Sequence, residues 1–237
     1  MSADGEVWVG EVRDSVEPRE ILSSVPGFSG RIWSVRRDCV QVGDQQVERD
    51  ILLHLGAVAV VALDANDRVL LIRQYRHPVG MSLFETPAGL LDVPGEDPWQ
   101  TAQRELAEEA GYRGRTWHVL VDLINSPGGS SEAIRVYLAR DLMEIPEGRA
   151  HTGEAEEHHL PRAWVPLDEA RDLILAGALQ NPTTVCGVLA ACAHRDLGWQ
   201  HLRPVDAEWS SRAALLQLGR VHSIDQSSPQ MGPAQQC

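Results

Sequence analysis

The segment DPWQTAQRELAEEAG, residues 97–111, constrains the fold of this chain more than any other, because it specifies a helix, both of its ends and its buried face. Asp97 is a favourable N-cap, a proline suits the next position and Gly111 is a favourable stop, which together predict a helix over 98–110. Apolar residues recur along this helix at intervals of three or four and form its inward stripe: Trp99, Ala102, Leu106 and Ala110.

Three carboxylates share the adjacent face of the same helix. Glu105 lies three residues before Glu108 and four before Glu109, so their side chains meet on the helix surface. Such like-charged neighbours cost roughly a few tenths of a kcal/mol per pair, and the C-terminal half of the helix dipole also disfavours them. Arg104 can neutralise one carboxylate but not three. One interpretation is a solvated acidic face; the other is a divalent cation, since Mg²⁺ prefers carboxylate and phosphate oxygens.

The composition disfavours nucleic acid and anionic membranes as partners. The formal net charge of −13 would repel phosphate backbones, which proteins normally bind through basic patches. All 21 basic residues are arginine, so an anionic ligand has to be held by guanidinium groups, backbone N–H groups or a metal ion.

Cysteine spacing and hydropathy bear on the compartment. The chain has no CxxC spacing, which favours incidental or buried thiols over a zinc site or a disulfide framework. It has no run of eighteen or more apolar residues, and acids stand near the N-terminus where a secretory signal would carry basic residues. We therefore expect an intracellular, cytoplasmic protein.

Strand patterns dominate the rest of the chain and predict a mixed α/β fold. EVWVGEVR and GRIWSVRRDCVQV, separated by a stretch that contains Pro and Gly, predict a small N-terminal sheet. AVAVVAL and VLLIRQY around the turn DANDR predict a hairpin, and TWHVLVDLI, EAIRVYLAR and AWVPL predict further strands. Two later helices are predicted, one opening on Asp168 and closing near Gly177, the other with Asn181 as its N-cap and Gly198 after its end.

The acidic helix resembles the Nudix box, G-x5-E-x7-R-E-U-x-E-E-x-G-U. RELAEEAGY, residues 104–112, matches its core, and Glu96 stands eight residues before Arg104 as the pattern requires. Six residues instead of five separate Gly89 from Glu96. The resemblance extends over about 56–203. QYRHPVGMSLFETPAG, NSPGGSSEAIRVYLA and the position of Pro127 resemble the ADP-ribose pyrophosphatases, and GLLDV and LRPVDAEW resemble their actinobacterial members.

This resemblance implies a fold and an assembly. The expected fold is a Nudix α/β/α sandwich with a mixed sheet, preceded by a small N-terminal antiparallel sheet that is exchanged with a partner subunit in a homodimer. We expect the N-terminal sheet and dimerisation segment in 1–54, the Nudix domain in 55–205, a C-terminal extension in 206–221 and a disordered tail in 222–237.

The resemblance also implies the metal ligands and the catalytic residues. Glu105 and Glu109 would be the main ligands of two to three Mg²⁺ or Mn²⁺ ions, with Glu108 and the Ala88 carbonyl as further ligands. Arg104 would orient these carboxylates, and Glu96 would support the loop before the helix. The catalytic base is expected on the loop HTGEAEEHHLPRAWVPL, where the order of preference is Glu157, Glu156 and Glu154. A solvated acidic loop is the alternative for each of them.

Substrate contacts are expected on both sides of the box. Arg76 would bind the diphosphate or the terminal ribose, Glu85 would make polar contacts to ribose or adenine, and Glu132 would contact ribose or a metal-bound water near Pro127 and Gly128. Two residues of the N-terminal segment would serve the adenine pocket of the partner subunit: Arg37 and Trp33. For each the alternative is an ordinary salt bridge, or, for Trp33, a core aromatic.

The implied activity is metal-dependent hydrolysis of ADP-ribose to AMP and ribose 5-phosphate by attack of water on phosphorus. Three other functions remain open on the sequence. The first is a Nudix hydrolase for another nucleoside diphosphate sugar or dinucleotide, such as ADP-glucose or NADH. The second is a sensor that binds ADP-ribose without cleaving it, although such modules commonly have damaged boxes. The third is a structural protein with an acidic helix.

Overall fold

The computed structural model describes residues 7–146, 148–149 and 160–222. Twelve strands, four α-helices and one short 3-10 helix, His77–Val79, lie in this part of the chain. Their bounds, in chain order, are β1 Ile21–Ser29, β2 Trp33–Val42, β3 Gln45–His54, β4 Ala57–Ala62, β5 Arg68–Arg76, β6 Met81–Glu85, β7 Ala88–Leu90, α1 Pro98–Ala110, β8 Tyr112–Arg113, β9 Thr116–Asn125, β10 Glu132–Arg140, β11 Met143–Glu144, β12 Arg162–Pro166, α2 Leu167–Leu175, α3 Pro182–Asp196 and α4 Ser210–Gln217.

A mixed four-stranded sheet, in the order β7-β4-β10-β9, forms the centre of the domain. β10 runs parallel to β4, whereas β9 and β7 pair antiparallel with their neighbours. An antiparallel sheet in the order β12-β5-β6 and the short ribbon β8-β11 complete the domain. The predicted mixed α/β fold is therefore confirmed. The prediction that β4 and β5 form a hairpin is wrong, because β4 pairs with β7 and β10 whereas β5 pairs with β6 and β12 in another sheet. Only an isolated antiparallel bridge between Leu63 and Val69 connects the two segments.

The core lies on both faces of the central sheet. Alternate residues of β4 belong to two clusters: Ala59 and Val61 pack with α2 and α3, while Val58 and Val60 pack with α1. Burial on both faces explains why this strand has a continuous apolar sequence and not an alternating one. The helix α1 lies on one face of the sheet, and its apolar stripe of Ala102, Leu106 and Ala110 is fully buried.

The N-terminal sheet, in the order β1-β2-β3, is antiparallel as predicted, but its strands differ from the prediction. The described part of EVWVGEVR, residues 7–13, is not a strand. The stretch that was expected to separate two strands forms β1 itself, with register irregularities at Ile21/Ser23 and Pro26/Phe28. β1 is exposed along its whole length, so its pairing with β2 and not burial defines it.

The helix boundaries follow the predicted caps in two of three cases. α1 has Asp97 as N-cap and Gly111, at φ 73°, as C-cap; α3 has Asn181 as N-cap. The prediction that α2 opens on Asp168 is wrong, because the N-cap is Pro166 and Asp168 lies in the first turn. The helix α4 was not predicted. Of the helices in the described ranges, none is long and apolar enough to cross a membrane.

Candidate active site

Arg104 is the centre of the acidic face of α1. Its Nη1 donates to Glu105 Oε1 at 2.7 Å and to Glu108 Oε2 at 3.0 Å, and its Nε and Nη2 donate to the two oxygens of Glu96 at 3.1 Å each. The hydrogen bond to Glu96 is the largest cause that raises the pKa of Arg104. Contacts with Glu105 and Glu108 act in the same direction, and partial burial opposes the shift. One guanidinium thus contacts three carboxylates, although its single positive charge balances only one of them.

Glu96 reaches Arg104 although the preceding loop has one residue more than the family pattern. The loop absorbs it in a turn in which the Glu96 N–H donates to the Val93 carbonyl at 3.1 Å and Gly95 adopts a φ of 79°. Thr101 Oγ1 also donates to Glu96 Oε2 at 2.8 Å. The hydrogen bond from Arg104 is the main cause that lowers the pKa of Glu96, so this carboxylate is charged at neutral pH.

Glu105 and Glu109 lie against the backbone of β7. A Cβ on Gly89 would lie 2.0 Å from Glu105 Oε1 and 2.1 Å from its Cδ, so the glycine leaves the space that this carboxylate fills. The Ala88 N–H donates to Glu109 Oε2 at 2.8 Å. Both glutamates are buried, at 9% and 4% exposure. The first glycine of the box therefore has a physical role, which is to let Glu105 approach the strand.

Two arginines that the sequence analysis did not identify satisfy carbonyls at the end of α1. Arg149 Nε donates to the Glu108 carbonyl at 3.1 Å, and Arg162 Nη1 donates to the Ala110 carbonyl at 2.6 Å. Cations at a helix C-terminus offset the dipole that disfavours the nearby glutamates. The two arginines lie 41 and 52 residues beyond their acceptors in the chain, so helical spacing gives no signal for either.

The donor set of this face suits a hard divalent cation. Among the described residues no three His, Cys, Asp or Glu side chains are gathered closely enough to hold a metal ion. Glu105 and Glu108 accept from Arg104, and Glu109 accepts from the Ala88 N–H. The chemistry of the residues nevertheless fits Mg²⁺ or Mn²⁺, which prefer carboxylate and carbonyl oxygens. A carboxylate accepts at both oxygens, so a contact to Arg104 at one does not exclude a cation at the other. Of the predicted ligands, Glu105 and Glu109 lie against β7, where Ala88 is located, whereas Glu108 contacts Arg104.

Arg76, the last residue of β5, and Glu85, the last residue of β6, form an ion pair. Arg76 Nη2 lies 2.6 Å from Glu85 Oε2, and Arg76 Nε contacts Oε1 at 3.0 Å. The Glu85 side chain is only 2% exposed, whereas that of Arg76 is 42% exposed. The buried carboxylate therefore fixes the orientation of the guanidinium through two N–H groups.

The loop that carries Pro127 and Gly128 is attached to the N-terminal sheet. The Leu52 N–H donates to the Gly129 carbonyl at 2.8 Å, and the Ser131 N–H donates to the Leu52 carbonyl at 3.0 Å. Pro127 and Gly128 themselves are exposed. The N-terminal sheet and this loop are therefore joined by strand-like hydrogen bonds.

Glu132 begins the strand that follows this loop. It accepts a hydrogen bond from Asn125 Nδ2 at 2.7 Å, and its Oε1 lies 3.6 Å from His54 Nε2. Burial is the main cause that lowers the pKa of His54, and the nearby Glu132 opposes that shift. Glu132 therefore lies at the junction between the central sheet and the N-terminal sheet.

Arg37 and Trp33 lie on β2 of the N-terminal sheet, apart from the acidic helix face. Arg37 forms an exposed ion pair with Asp50, with Nε 2.8 Å from Oδ1, which corresponds to the salt-bridge alternative. Trp33 is 39% exposed, and its ring lies 5.6 Å from that of Phe28. The three predicted bases, Glu154, Glu156 and Glu157, lie outside the described residues.

Comparisons with known proteins point to one family. The model of the NUDIX domain matches residues 53–184. The "ADP-ribose pyrophosphatase" of Mycobacterium tuberculosis (strain ATCC 25618 / H37Rv) is 45% identical over 194 residues, which cover 81% of this chain and 92% of that protein. The "Methanol dehydrogenase activator" of Bacillus methanolicus is 37% identical over 162 residues, 68% of this chain and 85% of that protein.

A solved structure supports the fold alone. The chain described as "Crystal structure of ADP compounds hydrolase" superposes with a TM-score of 0.64 at 24% identity, over 78% of this chain and 99% of that chain. At this identity the likeness concerns the arrangement of strands and helices and not the chemistry of the site.

Proposed function

This chain belongs to the NUDIX domain family, and from that premise we propose that it is a metal-dependent hydrolase of ADP-ribose, which it cleaves to AMP and ribose 5-phosphate by attack of water on phosphorus. The observation that carries the proposal is the arrangement of the box residues on α1 and β7. Its Arg104 joins Glu96, Glu105 and Glu108, and its Gly89 leaves room for Glu105 against β7.

Glu105, Glu108, Glu109 and the Ala88 carbonyl would hold two to three Mg²⁺ or Mn²⁺ ions. Such ions, when bound, neutralise a pyrophosphate and polarise its phosphoryl oxygens. The task of the chain itself is to keep several carboxylates in place in spite of their mutual repulsion. Arg104 does so through its hydrogen bonds to the side chains, and Arg149 and Arg162 contribute at the end of the helix.

The substrate would be oriented by residues on both sides of the box. Arg76, with its guanidinium fixed by buried Glu85, would bind the diphosphate or the terminal ribose. Glu132 would bind a ribose hydroxyl beside Pro127 and Gly128. A carboxylate of the loop after the sheet, Glu157 or Glu156 in order of preference, would accept the proton of the attacking water.

The proposal includes a cytoplasmic homodimer. Several apolar side chains on and beside the N-terminal sheet are more than one-third exposed, which is typical of a surface that a second copy covers. They are Ile21, Leu22, Val25, Phe28, Ile32 and Trp33. In the dimer the N-terminal segment would bring Arg37 and Trp33 to the adenine pocket of the partner subunit.

Two alternatives use the same site. The first is hydrolysis of another substrate with a pyrophosphate bond, because the box reads the pyrophosphate and its metal ions and not the attached groups. The second is binding of ADP-ribose without hydrolysis. One relative, from Bacillus methanolicus, is named for activation of another enzyme and not for hydrolysis, so the substrate has to be tested directly.

Turnover of ADP-ribose, ADP-glucose, NADH and Ap4A with Mg²⁺ separates these possibilities. We expect kcat/KM to be highest for ADP-ribose, with AMP as a product. Preference for one of the other compounds would replace the substrate and retain the reaction. Tight binding of ADP-ribose without turnover of any compound would make the chain a sensor.

A further inference from the structure

The chain leaves one sheet and enters another between β6 and β7. β6 pairs with β5 as far as Glu85, and the pairing of β7 with β4 begins at Ala88, so Thr86 and Pro87 belong to neither ladder. Proline has no N–H, and the Pro87 carbonyl accepts from Val60 at 2.8 Å. The Thr86 N–H remains, in a residue with 0% exposure. A buried N–H without an acceptor is costly, so a partner has to come from elsewhere in the fold.

The first turn of α3 supplies that partner. The Thr86 N–H donates to Thr184 Oγ1 at 2.9 Å, and Thr86 Oγ1 lies 3.2 Å from Thr183 Oγ1. Thr183 Oγ1 donates its single proton to Asn181 Oδ1 at 2.7 Å, so the hydroxyl of Thr86 has to donate to Thr183. Asn181 Oδ1 also accepts from the Thr184 N–H at 3.1 Å as the cap of the helix. One buried network therefore joins the N-cap of α3 to the crossing between the sheets.

This crossing separates the two parts of the candidate site. Glu85, just before Thr86, holds Arg76. Ala88, two residues after it, donates its N–H to Glu109 and carries the carbonyl expected to bind metal. Because Thr86 and Pro87 lie between these two positions, a shift of the crossing moves Glu85 and Ala88 relative to α1.

We propose that Thr184 is a positioning residue of the active site: by accepting the N–H of Thr86 it fixes the backbone of Ala88 against Glu109 and so sets the affinity for the divalent cation. This inference rests on the proposed function. Thr184 is fully buried, and the Nudix box does not include it. The helix α3 lies on the face of the central sheet opposite α1, so the site is supported from both faces.

The substitution Thr184→Val tests this role because valine has nearly the shape of threonine but offers no acceptor. Loss of one buried hydrogen bond is expected to weaken Mn²⁺ binding about tenfold. Thr184→Ser keeps the oxygen and should bind Mn²⁺ within about twofold of wild type, since only a methyl group is removed. Thr183→Val removes the acceptor of the Thr86 hydroxyl but keeps the bond to its N–H, so a smaller loss, about threefold, is expected. If Thr184→Val does not fold, the Mn²⁺ affinity of Thr183→Val is the measurement that tests the inference.

Mn²⁺ affinity would be measured by titration of the full-length chain without substrate. Separately, kcat and KM for ADP-ribose would be measured at several Mg²⁺ concentrations. Val188→Ala is the matched control, because Val188 is buried one turn further along α3, so its truncation destabilises the helix while the hydrogen bonds of Thr183 and Thr184 to Thr86 are retained. We expect weaker Mn²⁺ binding and a lower kcat that excess Mg²⁺ partly restores in Thr184→Val, and wild-type Mn²⁺ affinity in Val188→Ala.

Equal Mn²⁺ affinity in wild type, Thr184→Val and Thr183→Val would overturn the inference, as would an equal loss in Val188→Ala. The wild-type arm tests the proposed function separately. A wild-type chain that neither binds Mn²⁺ nor releases AMP would refute the function and the inference together, whereas a functional wild type with unaffected threonine variants would refute the inference alone.

Discussion

Gly89→Ala is expected to remove activity while leaving the fold intact. The added Cβ would lie 2.0 Å from Glu105 Oε1 and 2.4 Å from its Cγ, whereas ordinary contacts begin at 3.4 Å. The carboxylate therefore has to move by about 1.4 Å, and because Mg²⁺ requires oxygens at about 2.0–2.1 Å in near-ideal geometry, coordination at the original position is lost. Misplacement by about 1 Å costs on the order of a hundredfold in rate, so we expect kcat to fall at least about a hundredfold.

The stability change should be small by comparison. Gly89 has no positive φ, so alanine fits its backbone, and the loss of the ion pair between Arg104 and Glu105 amounts to about 1 kcal/mol. The assay is AMP release from ADP-ribose with Mg²⁺, together with thermal unfolding of Gly89→Ala, Glu105→Ala and the double variant. Since the collision requires Glu105, the destabilisation by Gly89→Ala should disappear in the Glu105→Ala background. Retention of half of the wild-type kcat by Gly89→Ala, or an undiminished destabilisation in the double variant, would refute the reasoning.

Three further predictions follow from the arginine contacts. Arg104→Lys should lower kcat and weaken Mg²⁺ binding, since one ammonium group cannot reproduce the guanidinium contacts to Glu96, Glu105 and Glu108. The same dependence of kcat on Mg²⁺ concentration in the variant and the wild type would contradict this prediction. The pKa of Glu96 is lower in the folded state than its ordinary value of 4.5, so the charged carboxylate stabilises the fold above pH 4.5, and this stabilisation is lost as the pH falls through the folded-state pKa. Between pH 7 and pH 3 the free energy of unfolding, measured with urea, should therefore fall more for wild type than for Glu96→Gln. An equal fall in both proteins would contradict this prediction. Arg135→Met should lower the free energy of unfolding by about 3 kcal/mol, because the Arg135 side chain is 4% exposed and pairs with Asp122. Arg203 pairs with the same carboxylate but is 42% exposed, so Arg203→Met should lower the free energy of unfolding by less than about 1 kcal/mol. Similar urea midpoints for the two variants would refute this difference.

Local signals in the sequence predicted the elements that carry the box. The caps of α1 and α3 are decided by side chains within three residues of the helix start, and the buried β4 is decided by its own apolar run, so these elements could be predicted from short windows. β1 could not, because it contains Pro26 and Gly27 and is exposed throughout; only its pairing with β2 makes it a strand.

The contacts that hold the site together are mostly distant in sequence. Glu105 and Glu109 were identified from the box, but the arginines at the end of α1 lie 41 and 52 residues beyond their acceptors, and Thr184 lies 98 residues after Thr86. No helical or strand period connects such positions. The sequence thus predicted candidate groups for the chemistry, and the structure shows which distant residues contact them.

The measurement that tests the central claim most directly is release of AMP from ADP-ribose by wild type and Glu109→Gln, each with Mg²⁺ and with EDTA. Glu169→Gln, at an exposed glutamate of α2 on the other face of the central sheet from α1, is the matched control for loss of one glutamate charge. The account predicts Mg²⁺-dependent AMP release by wild type and Glu169→Gln, and a collapse of that release in Glu109→Gln. AMP release by wild type that persists in EDTA, or that survives in Glu109→Gln, would contradict it.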